Sequence, residues 1–75
     1  MSPLGQAARF LREQRQMTQR AAAEALGVSY VHLSNLERGK AEPSASLLDK
    51  FRHVFGVDLH VLAWVLFEDD ARLPE

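Results

Sequence analysis

One stretch constrains this chain more than any other: Thr18 to Lys40, TQRAAAEALGVSYVHLSNLERGK. Two short helical patterns meet there at Gly27. Each is opened by a hydroxyl residue suited to an N-cap, Thr18 for the first and Ser29 for the second. Alanines at 21, 22, 23 and 25 with Leu26 allow the first helix to approach a neighbour closely. Val31, Leu33 and Leu36 give the second a partly apolar face. Gly39 stops the second helix, because glycine alone enters the left-handed backbone region without steric cost.

The rest of the chain arranges itself around that pair. Pro3 suits a first helical turn, with Ser2 as its cap, and Leu4, Ala7, Ala8 and Leu11 repeat at helical spacing, predicting a first helix from Ser2 to Gln14 or Arg15. Phe10 lies off that stripe, either packed against the C-terminal segment or partly exposed. Met17 is placed beneath the entry to the second helix, Gln19 to Leu26. A third helix runs from Tyr30 to about Arg38. Pro43 then forces Glu42 out of helical geometry, and Ser44 caps a fourth helix over Ala45–Phe55 with Leu47, Leu48, Phe51, Val54 and Phe55 on its core face. Gly56 ends it and Asp58 caps a fifth, about Leu59 to Asp69. The expectation is an all-α, five-helix chain forming one domain over residues 1–75, with helices 2 and 3 as a helix-turn-helix, a layout whose second helix can lie in a DNA major groove.

The fifth helix differs from the others. Leu59 and Val61 to Phe67 are all apolar, so a single face cannot bury them in one small core. This predicts a homodimer surface within residues 58–70 that includes Leu62, Trp64, Val65, Leu66 and Phe67. The alternative is that these side chains only close the monomer's own core.

Composition narrows the function. A chain of 75 residues sits near the lower size limit for a single core. It has no cysteine, which excludes disulfides and thiolate metal sites, and histidines 32, 53 and 60 show no ligand-pair spacing, so neither metal nor cofactor is expected. The N-terminus does not read as a signal peptide and the apolar run 61–67 is too short to span a bilayer, which predicts a cytoplasmic protein with no membrane association. The formal charge of -1 hides an asymmetry. Residues 1–40 carry six basic and three acidic side chains, whereas residues 41–75 carry three basic and seven acidic. The basic half is the one that would meet phosphate.

The elements LREQRQMTQ, LGVS, LSNLERGK and EPS, from Leu11 to Ser44, resemble the phage repressor, Cro and XRE-type helix-turn-helix family. The match combines Arg12, Gln19, Gly27, Ser29, Leu36, Glu37, Gly39 and Pro43 in one register without a gap. The resemblance implies that Tyr30, Val31 and Asn35 meet base edges, that Gln19 touches a phosphate at the start of helix 2, that Ser29, His32 and Ser34 lie at or near the DNA backbone, and that Arg38 and Lys40 hold phosphates. It also implies an ion pair between Arg12 and Glu37 tying helix 1 to the end of helix 3. Asn35 suits a bidentate bond to adenine and Val31 a thymine methyl, so A·T pairs are expected. Tyr30 can stack on sugar, bond a phosphate or touch a methyl. No arginine lies on the groove-facing part of helix 3, so a guanine contact would have to come from elsewhere. Ala8, Ala22 and Ala45 replace the larger aliphatics frequent in the family, which predicts a core filled by Phe10, Phe51 or Phe55.

Together these readings predict a DNA-binding transcriptional regulator, a repressor binding a palindromic operator on double-stranded DNA as a homodimer. The competing expectation is a protein-interaction module, such as an antitoxin whose fifth helix covers a partner protein. No constellation of acid, base and nucleophile points to an enzyme.

Overall fold

The structure is a computed structural model that describes residues 3–68, without the side chain of Glu68. The cap expected at Ser2 and the tail beyond 68 lie outside the described residues. Five α-helices follow in order: α1 (Pro3–Gln14), α2 (Gln19–Leu26), α3 (Tyr30–Glu37), α4 (Ala45–Phe55) and α5 (Leu59–Ala63), and the described residues contain no strand. No helix among them is long and apolar enough to cross a membrane.

Caps set the boundaries. The hydroxyls of Thr18, Ser29 and Ser44 accept the backbone N–H of Ala21, His32 and Leu47 at 3.0, 3.0 and 3.1 Å, while Asp58 Oδ1 accepts from His60 at 2.8 Å. Each bond satisfies a donor that the first turn of a helix leaves orphaned. Gly27 ends α2 at φ 74°, with its own N–H on the Glu24 carbonyl and that of Val28 on Ala23, the paired bonds of a Schellman stop. The same pair closes α1, Gln16 to Glu13 and Met17 to Arg12, but there the left-handed position is held by Gln16 at φ 57°. A side chain in that conformation costs about 1–2 kcal/mol that glycine avoids.

The core draws on every helix: Ala7, Ala8 and Leu11 from α1, Ala22, Ala23 and Leu26 from α2, Leu33 and Leu36 from α3, Leu47, Phe51 and Phe55 from α4, Leu59 and Ala63 from α5. Phe51 and Phe55, with ring centroids 5.7 Å apart, are both buried in this core beside Ala8 and Ala22, whereas Ala45 is exposed and leaves no core volume to fill. Phe10 does not contribute, being 40% exposed. Val54 also departs from expectation: it is 43% exposed, because the buried stripe of α4 follows Leu47, Phe51 and Phe55 at i, i+4, i+8 and leaves position 54 on its flank. Ala21 and Ala25 face solvent, so the close-packed alanines of α2 are Ala22 and Ala23. Closest approach occurs elsewhere. Gly5 is buried in α1, and a Cβ there would lie well inside contact distance of the Leu36 carbonyl oxygen, a steric clash.

The fifth helix was expected to run unbroken to about Asp69. Instead α5 ends at Ala63 and the chain continues as a π-helical turn over Trp64–Glu68. Its apolar residues divide between two sides. Leu59 and Ala63 are buried and Leu62 and Leu66 pack partly against the core, at i, i+3, i+4, i+7 spacing, while Val61, Trp64, Val65 and Phe67 remain exposed. Two of the five residues expected to form a dimer surface, Leu62 and Leu66, are therefore partly occupied within the monomer. Val61, which was not among the five, belongs with the outward group.

Candidate nucleic-acid interface

The α2–turn–α3 unit carries the site. Only Leu33, Leu36 and Glu37 of α3 are buried, so its N-terminal turn stands clear of the body, with Tyr30 41% and Val31 62% exposed and His32 exposed beside them. Ser34 and Asn35 are half-buried one turn on. Val31, Asn35 and Arg38 follow at i, i+4, i+7 and share one stripe of the helix. Arg38 donates to Asn35 Oδ1 at 3.3 Å, a long exposed contact that leaves the Asn35 NH2 donors for another acceptor. Arg38 and Lys40 are both exposed beyond the helix, where their charges can meet a phosphate backbone. Ser29 spends its acceptor on the His32 N–H and retains a hydroxyl proton to donate.

Beneath this face lies a polar clamp. Arg12 Nε and a terminal nitrogen donate to the two Glu37 oxygens at 2.8 and 3.0 Å, and its other terminal nitrogen donates to the Met17 carbonyl at 2.8 Å. The Glu37 side chain is 2% exposed and that of Arg12 13%. Such a fork-to-fork pair fixes direction as well as distance. The hydrogen bond to Glu37 raises the Arg12 pKa further above its usual range, outweighing the lowering by burial. The clamp joins α1, the α1–α2 connection and the last residue of α3, and so sets the angle at which α3 leaves the body.

Gln19 belongs to the same clamp: its Nε2 donates to Glu37 Oε1 at 2.9 Å. The amide expected to reach a phosphate thus spends one of its two N–H donors on Glu37. Sequence reasoning also passed over Arg20, whose guanidinium carbon lies 4.6 Å from the centroid of the Tyr30 ring, across the turn from α2 to α3. An arginine two residues after a cap and ten before an exposed tyrosine was the signal available, but only the tight turn at Gly27 brings the two together. Among the described residues, no group of histidine and carboxylate side chains could hold a metal ion.

A pair of capped helices joined by a glycine turn, with the N-terminal turn of the second exposed beside basic side chains, defines a helix-turn-helix domain. The helix-turn-helix family matches residues 9–62. The chain is 34% identical over 71 residues to the HTH-type transcriptional regulator DicA of Escherichia coli (strain K12), a match covering 95% of this chain and 50% of that protein. The chain therefore spans half the length of this curated relative. No solved structure matches it. The chain belongs to the XRE-type helix-turn-helix family, a family of DNA-binding transcription regulators.

Proposed function

We propose that the chain is a sequence-specific transcriptional regulator, a repressor that acts in the cytoplasm as a homodimer on a palindromic operator. One observation carries this reading: the exposed N-terminal turn of α3, Tyr30 to His32, held at a fixed angle by the Arg12–Glu37 clamp. Asn35 then pairs with adenine and Val31 meets a thymine methyl, with Tyr30 beside them at the groove edge. Ser29, His32, Ser34, Arg38 and Lys40 lie along the backbone. Gln19, with one amide N–H committed to Glu37, offers phosphate a backbone N–H of the first turn of α2, a group that has no intrahelical partner.

An eight-residue recognition helix makes few base contacts, so a monomer discriminates poorly. Two copies place recognition helices in successive major grooves about 34 Å apart, and each half-site raises the effective concentration at the other. The exposed group Val61, Trp64, Val65 and Phe67 is the surface assigned to the second copy. Binding of such a dimer represses by covering the sites that transcription needs. The same apolar group supports the second reading, a module whose fifth helix covers a different protein.

The deciding experiment incubates the purified protein with a randomised duplex pool at two salt concentrations and sequences what is retained. A two-fold symmetric, A·T-containing motif whose affinity falls steeply with salt is expected. Folded protein that enriches no motif, but copurifies with a partner at fixed stoichiometry, favours the interaction module instead.

A further inference from the structure

We propose that Arg20 is a specificity-determining residue: pinned across the Tyr30 ring, it carries its guanidinium to a guanine at the edge of each half-site. The proposal rests on the DNA-binding reading above and supplies the guanine contact that α3 lacks, since residues Tyr30–Glu37 contain no arginine.

Every other arginine of the described residues has a hydrogen-bond or ion-pair partner. Arg9 pairs with Glu13, Arg12 with Glu37, and Arg52 with Asp49 and Asp58, while Arg15 donates to the Phe55 carbonyl and Arg38 to Asn35. Among the described residues, Arg20 meets only the Tyr30 ring and no carboxylate or carbonyl. A guanidinium held over a ring at cation–π range leaves its N–H edge without a carboxylate or carbonyl partner, and the contact removes rotamer freedom before any ligand arrives. That edge is a planar fork of donors. The guanine major-groove edge presents two acceptors, N7 and O6, in the matching plane, whereas lysine supplies the same charge as a point without the fork.

Position favours a base over a phosphate. In this fold the first helix of the pair crosses the backbone, and the N-terminal residues of the second reach base edges. Arg20 stems from the first turn of α2, but Tyr30, the first residue of α3, draws its head group toward the base-reading end. Arg38 and Lys40 already serve the backbone, so an additional phosphate donor is not what the arrangement lacks.

The test compares wild type, Arg20→Lys, Arg20→Ala, Tyr30→Ala and the double variant Arg20→Lys, Tyr30→Ala on the same randomised duplex pool at several salt concentrations. Arg20→Lys should reduce preference for a G·C pair at one position of each half-site by about 5- to 150-fold and leave the salt slope unchanged. Tyr30→Ala should lose preference at that same position, and the double variant should lose no more there than Arg20→Lys alone. Both sites are exposed, so circular dichroism should show every variant folded. Unaltered G·C preference in Arg20→Lys overturns the proposal. So does an Arg20→Ala variant that weakens binding to all sequences alike and lowers the salt slope by about one, the signature of a phosphate contact. A wild-type motif without a G·C pair refutes this contact while leaving the regulator intact; no wild-type motif at all removes both.

Discussion

Replacing Arg12 with methionine tests how α3 is held. The substitution keeps most of the side-chain volume and removes the partner of a carboxylate that is 2% exposed. Glu37 would then retain only the Gln19 amide as a hydrogen-bond donor from the clamp. Stripping one member from a buried ion pair costs about 3–5 kcal/mol, because the remaining charge stays desolvated without compensation. A domain of 75 residues has a total stability of about 4–11 kcal/mol, so the variant should lose from about a quarter of its stability to all of it. Glu37→Leu should cost less, since Arg12 is 13% exposed and can extend toward water while still donating to the Met17 carbonyl. The double variant Arg12→Met, Glu37→Leu replaces the pair by apolar volume and should return to within about 2 kcal/mol of wild type. Urea unfolding followed by circular dichroism measures all four proteins, and the coupling energy follows from the cycle. Singles that add to give the double, or an Arg12→Met loss under about 1 kcal/mol, would refute the clamp. The pH dependence has a definite sign. Arg12 has a raised pKa in the folded state, so its contribution is fully present at neutral and mildly alkaline pH and fades only as pH rises through the arginine range.

Three further perturbations probe separate parts of the fold. Gln16→Gly relieves the left-handed strain at φ 57° and should stabilise by about 0.5–1 kcal/mol after the entropy that glycine adds to the unfolded chain, read as a melting temperature higher by about 2–8 °C; a lower one would show that the Gln16 side chain contributes more than its backbone costs. Gly5→Ala should destabilise by about 1–3 kcal/mol despite alanine's better helix propensity, because its Cβ meets the Leu36 backbone, and a stabilised variant in the same urea assay would mean α1 and α3 can separate freely. Val65→Glu places a charge on an exposed position of the outward face of the C-terminal segment, and sedimentation should show folded monomers; an unchanged dimer would exclude that face as the interface.

The parts of this molecule that depend on near neighbours could be read directly. Thr18, Ser29, Ser44 and Asp58 cap the helices they precede, and α2 and α4 have the limits their apolar spacing predicts. What escaped reading depends on contacts between helices. Nothing local distinguishes Gly5 from a helix-weakening glycine, because the reason for it is a carbonyl 31 positions away on α3. Gln16 carries no turn signature, since the Schellman bonds form around a residue type that rarely adopts that conformation. The Gln19–Glu37 bond depends on Glu37 being buried, and the Arg20–Tyr30 contact on the tight turn between their helices. In the fifth helix a uniformly apolar run contained no periodicity from which to assign sides. Only packing against α1 and the core separates Leu62 and Leu66 from Val61 and Val65.

On the proposed DNA-binding reading, the clamp and the exposed α2–α3 face also explain each other's composition. A buried carboxylate so near the end of a recognition helix would repel phosphate if it were left uncompensated. Glu37 is instead neutralised by a bidentate arginine from α1, so the pair adds almost no net charge at the groove. On the proposed reading, the positive field facing DNA is then set by Arg20 of α2 and by Arg38 and Lys40 just beyond α3, all three exposed. Fixing the helix with an apolar contact in place of the pair would leave that field unchanged but would remove the directional hold that two parallel N–H···O bonds impose. The stability cycle therefore has a functional counterpart. A double variant that regains its stability should bind DNA with a preserved salt slope yet with weakened sequence preference, because charge would survive while the angle of α3 would not.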